Sequence, residues 1–163
     1  DQKQTIMKKS DLIFVVEDDE YYSFALVTFL QSLGFTNIES YTTGESCLAN
    51  SYKMPKFVLL DYNLSDVKGF EIMVELISFD SNIPVVFISA QDSVQLAINT
   101  LKYGAFDYIQ KDEGAFLKLK DIISRIKEGQ DIVKRQEHRV LLQRFSYSAI
   151  AISILTLIAV LNF

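Results

Sequence analysis

The chain has 163 residues, 49% of them hydrophobic, and a formal net charge of −5. That length holds one domain with a sizeable core plus an appendage, and the composition excludes a chain too polar to fold. The acidic balance, without any basic block, argues against a nucleic-acid partner for this chain alone, and a single cysteine, Cys47, excludes an internal disulfide.

Residues 1–10 are a polar N-terminal segment without the apolar core of a signal peptide, and Met7 is a candidate natural start. Leu12 to Val16 reads as a strand. Glu20 to Leu33 reads as a helix with Phe24, Leu26, Val27, Leu30 and Leu33 on one stripe and Gly34 as its stop. Asn37 to Tyr41 is a short strand, less buried because it carries Asn and Glu. A helix opens at Thr43-Gly44-Glu45 and runs to about Tyr52, with Cys47 as a small apolar filler. Phe57 to Leu60 is the third strand, and Gly69 to Phe79 a helix bearing Phe70, Ile72, Met73, Leu76 and Ile77. Val85 to Ile88 is the fourth strand, and Ser93 to Tyr103 a helix that Gly104 ends. Phe106 to Ile109 is the fifth strand. Glu113 to Lys127 is a helix with Phe116, Leu119, Ile122, Ile123 and Ile126 on one face. Strands alternating with helices predict an α/β fold with a parallel sheet covered on both faces.

After Lys127 the character changes. Residues 128–144 mix charges, His138 among them, with a thin seam of Ile132, Val133, Val140 and Leu141, and read as a charged helical linker. Residues 145–163 contain no charged side chain. As a helix they span about 28 Å, close to the hydrocarbon core of a bilayer. Apolar residues all round the helix, rather than on a stripe, disfavour a buried core helix. Lys134, Arg135, Arg139 and Arg144 precede the segment and no lysine or arginine follows it, which places the preceding domain on the cytoplasmic face of a membrane.

Polar residues close the apolar runs. Glu17 and Asp18 follow the first strand, Asp61 the third, Ser89 the fourth and Lys111 the fifth. In an open parallel sheet, ligands bind beyond the carboxyl ends of the strands. Three carboxylates, a hydroxyl and an ammonium are therefore expected at one edge. Two carboxylates about 4 Å apart repel by about 4 kcal/mol at an effective dielectric near 20, so the cluster requires positive charge. A hard cation such as Mg²⁺ suits an all-oxygen site. An aspartate beside it can act as a nucleophile toward phosphorus, with lysine and metal balancing the transferred charge.

In combination and order, Val15-Val16-Glu17-Asp18-Asp19, Leu59-Leu60-Asp61-Tyr62-Asn63-Leu64 with Gly69 eight positions after Asp61, Ile88-Ser89-Ala90, and Ala105-Phe106-Asp107-Tyr108-Ile109-Gln110-Lys111 resemble the receiver domain of two-component response regulators. The resemblance covers about residues 11–127. It implies a flavodoxin-like (βα)5 doubly wound five-stranded parallel sheet, here with a C-terminal helical extension. It also implies Asp61 as phosphoacceptor, Asp18 as a direct Mg²⁺ ligand, Glu17 as a ligand through water, and the Asn63 carbonyl completing the protein set. Ser89 and Lys111 would contact the phosphoryl group, and Ser89 and Tyr108 would form the switch.

Two positions depart from the family's pattern. Ser65 stands where proline is usual four residues after the phosphoacceptor. Asp112 stands where a cis-proline is usual after the lysine, and is instead a candidate cap for the last helix. A non-proline cis bond costs about 2.5–4 kcal/mol, so Lys111–Asp112 is either trans or strained.

The expected function is a phosphorylation-operated switch rather than an enzyme, served by a histidine kinase and anchored through residues 145–163, with no DNA-binding output domain. Its output would pass to a protein or a second copy through the fourth helix, fifth strand and fifth helix. Two alternatives compete. An aspartate-nucleophile phosphohydrolase usually carries a second carboxylate where this chain has Asn63. A receiver-like module that is never phosphorylated has no need of the intact acid, hydroxyl and lysine set.

Overall fold

The computed structural model describes residues 7–129, and residues 7–126 form one compact unit. The strands are β1 (Ile13–Val16), β2 (Ile38–Tyr41), β3 (Phe57–Asp61), β4 (Val85–Ser89) and β5 (Asp107–Gln110). The helices are α1 (Glu20–Ser32), α2 (Gly44–Ala49), α3 (Gly69–Phe79), α4 (Val94–Lys102) and α5, helical from 115 through 129. The sheet is parallel throughout, in the order β2-β1-β3-β4-β5. The expected flavodoxin-like (βα)5 architecture is thus present in these residues. The proposed membrane span at 145–163 and most of the charged linker lie outside them. No helix among the described residues is long and apolar enough to cross a membrane.

Every residue of β1, β3 and β4 is buried, because helices cover both faces of the sheet. Alternation divides their side chains between two cores. Ile13, Val15, Phe57, Leu59, Val86, Ile88 and Ile109 meet α1 and α5 through Leu26, Leu30, Leu119, Ile122, Ile123 and Ile126. Phe14, Val16, Val58, Leu60, Val85, Phe87 and Tyr108 meet Cys47 of α2 and Ile72, Met73 and Leu76 of α3. β2 is an edge strand and is only half-buried, as Glu39 and the preceding Asn37 implied.

Three local readings are corrected. Phe24 is 73% exposed and does not belong to the buried stripe of α1, which runs through Ser23, Leu26 and Leu30. The second helix ends at Ala49 and gives way to a 3-10 turn over Ser51–Lys53. Asp112 does not cap the first turn of α5. Its Oδ1 accepts the Gly114 N–H at 2.8 Å, a turn that leads the chain into the helix. No peptide bond among the described residues is cis, so Lys111–Asp112 is trans. Gly34 ends α1 as expected, at φ +90, with its N–H donating to Gln31 O and the Phe35 N–H to Leu30 O.

Candidate functional site

Register brings the site together. Val16 pairs with Leu60, and Asp61 pairs with Ile88. Ser89 pairs with Gln110. The backbone ladder continues past the strand ends, with the Glu17 N–H donating to Tyr41 O and the Lys111 N–H to Ser89 O. By alternation, Glu17, Asp61 and Lys111 follow Val15, Leu59 and Ile109, all on the α1/α5 face. The three side chains therefore converge over that core rather than on opposite sides of the sheet.

Lys111 Nζ lies 2.7 Å from Glu17 Oε1 and 2.8 Å from Asp61 Oδ2. Glu17 is fully buried and Asp61 nearly so. Burial pushes the Glu17 carboxyl up to about 7; the Lys111 hydrogen bond opposes this and the Asp61 charge adds to it. Burial pulls the Lys111 ammonium down, but the hydrogen bonds to Asp61 and Glu17 more than offset that, and its pKa is raised. One ammonium thus serves two buried carboxylates. Glu17 Oε2 is buried and has no hydrogen-bond partner among the described residues, a costly condition for a carboxylate.

Asp18 supplies a third carboxylate. One oxygen from each of Glu17, Asp18 and Asp61 lies within 4.8 Å of the others, with Asp18 on the solvent side. Asp19 is engaged elsewhere: its Oδ1 accepts the N–H groups of Tyr21 and Tyr22 and caps α1. The orphaned Glu17 oxygen and the all-oxygen donor set fit a hard divalent cation such as Mg²⁺.

The loop after β3 is tightly held. Asp61 Oδ1 accepts the Asn63 N–H at 3.0 Å, and the Gly69 N–H returns to Tyr62 O at 3.0 Å. An added Cβ on Gly69 would stand 2.2 Å from the Asp61 carbonyl oxygen. Asp66, two residues beyond the loop's leucine, accepts the N–H groups of Gly44 and Glu45 at 3.1 and 3.0 Å and ties this loop to α2. Ser65, where proline is usual, lies between Asn63 and Asp66, whose bonds hold the loop.

Ser89 is fully buried, and its Oγ accepts the Gln91 N–H at 3.2 Å. Tyr108 is buried, and its hydroxyl donates to Gln91 O at 2.7 Å. Gln91 therefore joins the hydroxyl end of β4 to the aromatic ring of β5. The sequence reading missed Gln91, whose backbone alone takes part and leaves no mark in the side-chain pattern. It also missed Tyr22, whose ring lies 4.7 Å from Lys111 Nζ. An aromatic residue on an amphipathic helix reads equally well as core.

The family model for the response regulator receiver domain matches residues 13–127. The transcriptional regulatory protein CssR of Bacillus subtilis (strain 168) is 32% identical over 124 residues, which are 76% of this chain and 53% of that protein. The transcriptional regulatory protein CreB of Escherichia coli (strain K12) is 31% identical over 102 residues, 62% of this chain and 44% of that protein. The chain thus spans about half the length of these relatives. Their names count against the expectation of no nucleic-acid partner, which the charge supported for this chain alone. A solved CheY-like response regulator receiver domain protein from Methanospirillum hungatei JF-1 superposes with a TM-score of 0.65 at 22% identity, covering 78% of this chain and 98% of that one.

Proposed function

The chain belongs to the response regulator receiver domain family, whose members act as signalling switches phosphorylated by histidine kinases, and from that premise we propose that Asp61 accepts the phosphoryl group and that Ser89 and Tyr108 register its arrival. The observation that carries this reading is the single ammonium of Lys111 held between the buried carboxylates of Glu17 and Asp61. A salt-bridge cluster serving stability alone has no need of an orphaned buried oxygen or of a third carboxylate beside it.

Glu17, Asp18 and Asp61, with the Asn63 carbonyl, would hold Mg²⁺. When bound, the ion supplies positive charge against the oxygens of the transferring group. A carboxylate oxygen of Asp61 attacks the phosphorus of a kinase phosphohistidine. The P–N bond breaks, and its electron pair returns to the imidazole nitrogen, which takes a proton from solvent. Lys111 moves from the Asp61 carboxylate to a phosphoryl oxygen. The Ser89 hydroxyl, whose proton is not used by its contact with Gln91, donates to another. Drawing Ser89 toward the phosphoryl group bears on Gln91, which also receives the Tyr108 hydroxyl, so the two switch residues move against one shared backbone segment.

Output is proposed to leave through α4, β5 and α5, to a protein or a second copy of the chain. Val94, Ile98, Leu101 and Tyr103 are exposed apolar residues on and next to α4, and support that reading.

The test is labelling of the full chain by acetyl phosphate, followed by intact mass. One phosphoryl group is expected, and only with Mg²⁺. Repeated turnover of a phosphoester would mark a phosphohydrolase instead, and no labelling would leave a receiver-like module that is never phosphorylated.

Metal binding is expected to depend on Asp18 rather than Asp19. Asp18→Ala should weaken Mg²⁺ binding, read by fluorescence or calorimetric titration, by tenfold or more, on the order of a lost charged ligand. Asp19→Ala should leave binding within about twofold and lower helix stability by about 1 kcal/mol. Equal losses in the two variants would contradict this division.

Residues 145–163 are proposed to anchor the chain in a membrane, with the receiver unit on the cytoplasmic face. Their freedom from charge, their length and the positive residues that precede them support the reading. Full-length protein should remain with membranes through a high-salt, alkaline wash, and a chain ending at Lys127 should not. Recovery of the full-length protein in the wash without detergent rules the anchor out.

A further inference from the structure

Lys111 has a third neighbour besides its two carboxylates. Its Nζ stands 4.7 Å from the centroid of the Tyr22 ring, on α1. Tyr22 is held at its backbone and at its ring. The Tyr22 backbone N–H donates to Asp19 Oδ1, the helix cap, at 3.1 Å. The Tyr22 ring packs on Phe116 at the start of α5, at 6.1 Å between centroids, and Phe116 packs on Phe29 at 5.1 Å. The Tyr22 hydroxyl is buried and has no hydrogen-bond partner among the described residues. The contact with Lys111 is made by the ring face, not by the hydroxyl.

We propose that Tyr22 is a positioning residue for the phosphoryl-transfer reaction: its ring holds the Lys111 ammonium at the site by cation–π attraction while leaving the ammonium's N–H groups to oxygen. The proposal rests on the reading of Asp61 as phosphoacceptor. Lysine is a flexible four-carbon stem with three rotatable donors. Two donors are taken by Glu17 and Asp61 in the unphosphorylated chain. Phosphorylation turns the Asp61 carboxylate into an acyl phosphate, and that partner is exchanged for a phosphoryl oxygen. A further carboxylate bonded to the lysine in place of the ring would compete with the phosphoryl group for it. An aromatic face attracts the charge without accepting a directed hydrogen bond, so it restrains the ammonium through the exchange of partners. Because the ring belongs to α1, any motion of that helix relative to β5 also moves the lysine's restraint.

The test uses the full chain and three variants, with two readouts. The first is the rate of Asp61 labelling by acetyl phosphate with saturating Mg²⁺. The second is the NMR position of the Lys111 ε-methylene protons, which a ring face shifts upfield. Tyr22→Phe keeps the ring and should label within about twofold of wild type with the lysine protons still upfield. Tyr22→Leu should label about five- to tenfold more slowly, the size of effect expected for a partly desolvated cation–π contact, and its lysine protons should move downfield. Tyr22→Trp, with the stronger face, should keep or raise the rate. Equal slowing by Phe and Leu would assign the effect to the hydroxyl and overturn the proposal. A Leu variant that labels at the wild-type rate would overturn it too. If Tyr22→Leu does not fold, absence of the upfield shift in wild type and Tyr22→Phe is sufficient to reject it. Failure of wild type to label at all would instead remove the phosphoacceptor reading, which separates the two.

Discussion

Asp61→Asn abolishes phosphoryl labelling: that is the expected result with acetyl phosphate and Mg²⁺, and the largest single effect the site should show. The substitution keeps the size of the side chain and an oxygen able to accept the Asn63 N–H that Asp61 Oδ1 accepts at 3.0 Å. It removes the charge that makes the oxygen a nucleophile toward phosphorus. It also relieves part of the repulsion between Asp61 and the buried Glu17 and leaves Lys111 paired with Glu17 alone. The folded protein should therefore survive while the chemistry is lost. Intact mass should show one added phosphoryl group on wild type and none on the variant. Labelling that persists undiminished in Asp61→Asn would place the acceptor elsewhere.

Gly69→Ala should be almost as damaging, by a different route. The added Cβ would sit 2.2 Å from the Asp61 carbonyl oxygen and 3.0 Å from Tyr62 Cα. Both are backbone atoms, which cannot turn aside as a side-chain tip can. Relief requires the start of α3 to move away from the end of β3, breaking the bond from the Gly69 N–H to Tyr62 O. The expected cost is about 3 kcal/mol, at the upper end for overpacking because backbone must give way. Urea denaturation should show the loss as a lower midpoint, and labelling of Asp61 in the fraction that remains folded should slow as well, since Asp61 is displaced. A variant of unchanged midpoint would mean that the loop has slack the geometry does not show.

The sequence made the sheet legible because burial on both faces leaves strands as unbroken apolar runs. Leu59 and Leu60 tell the reader little individually, yet with Asp61 they mark where a strand stops and a site begins. The joint placement of Glu17, Asp61 and Lys111 was legible for the same reason: alternation and parallel register fix where residues past a strand end point. Details that depend on a neighbour's position were not legible. Phe24 looked like core because it is aromatic and one residue from the stripe, but α1 presents Ser23 rather than Phe24 inward. Asp66 caps α2 across 22 residues of chain, a pairing no local pattern announces. Asp112 has a cap's chemistry, yet the helix begins at residue 115, later than the pattern suggests, so the side chain serves the preceding turn. Tyr22 and the Gln91 backbone escaped notice because neither a helical aromatic nor a peptide group distinguishes itself in a sequence.

Lys111 meets Asp61 across 50 residues and Glu17 across 94. Synthesis runs from the amino end, so the two acids leave the ribosome well before the base that reconciles them. Until β5 joins the edge of β4, the growing chain must carry Glu17 and Asp61 without their common counter-charge, and drawing them together is then opposed by their repulsion. The last strand thus acts as a seal on the whole: a chain cut short of it has Asp61, the proposed acceptor, but lacks the lysine that pairs with it. On the proposed reading, competence to accept a phosphoryl group comes with completion of the sheet, and a half-made copy lacks it.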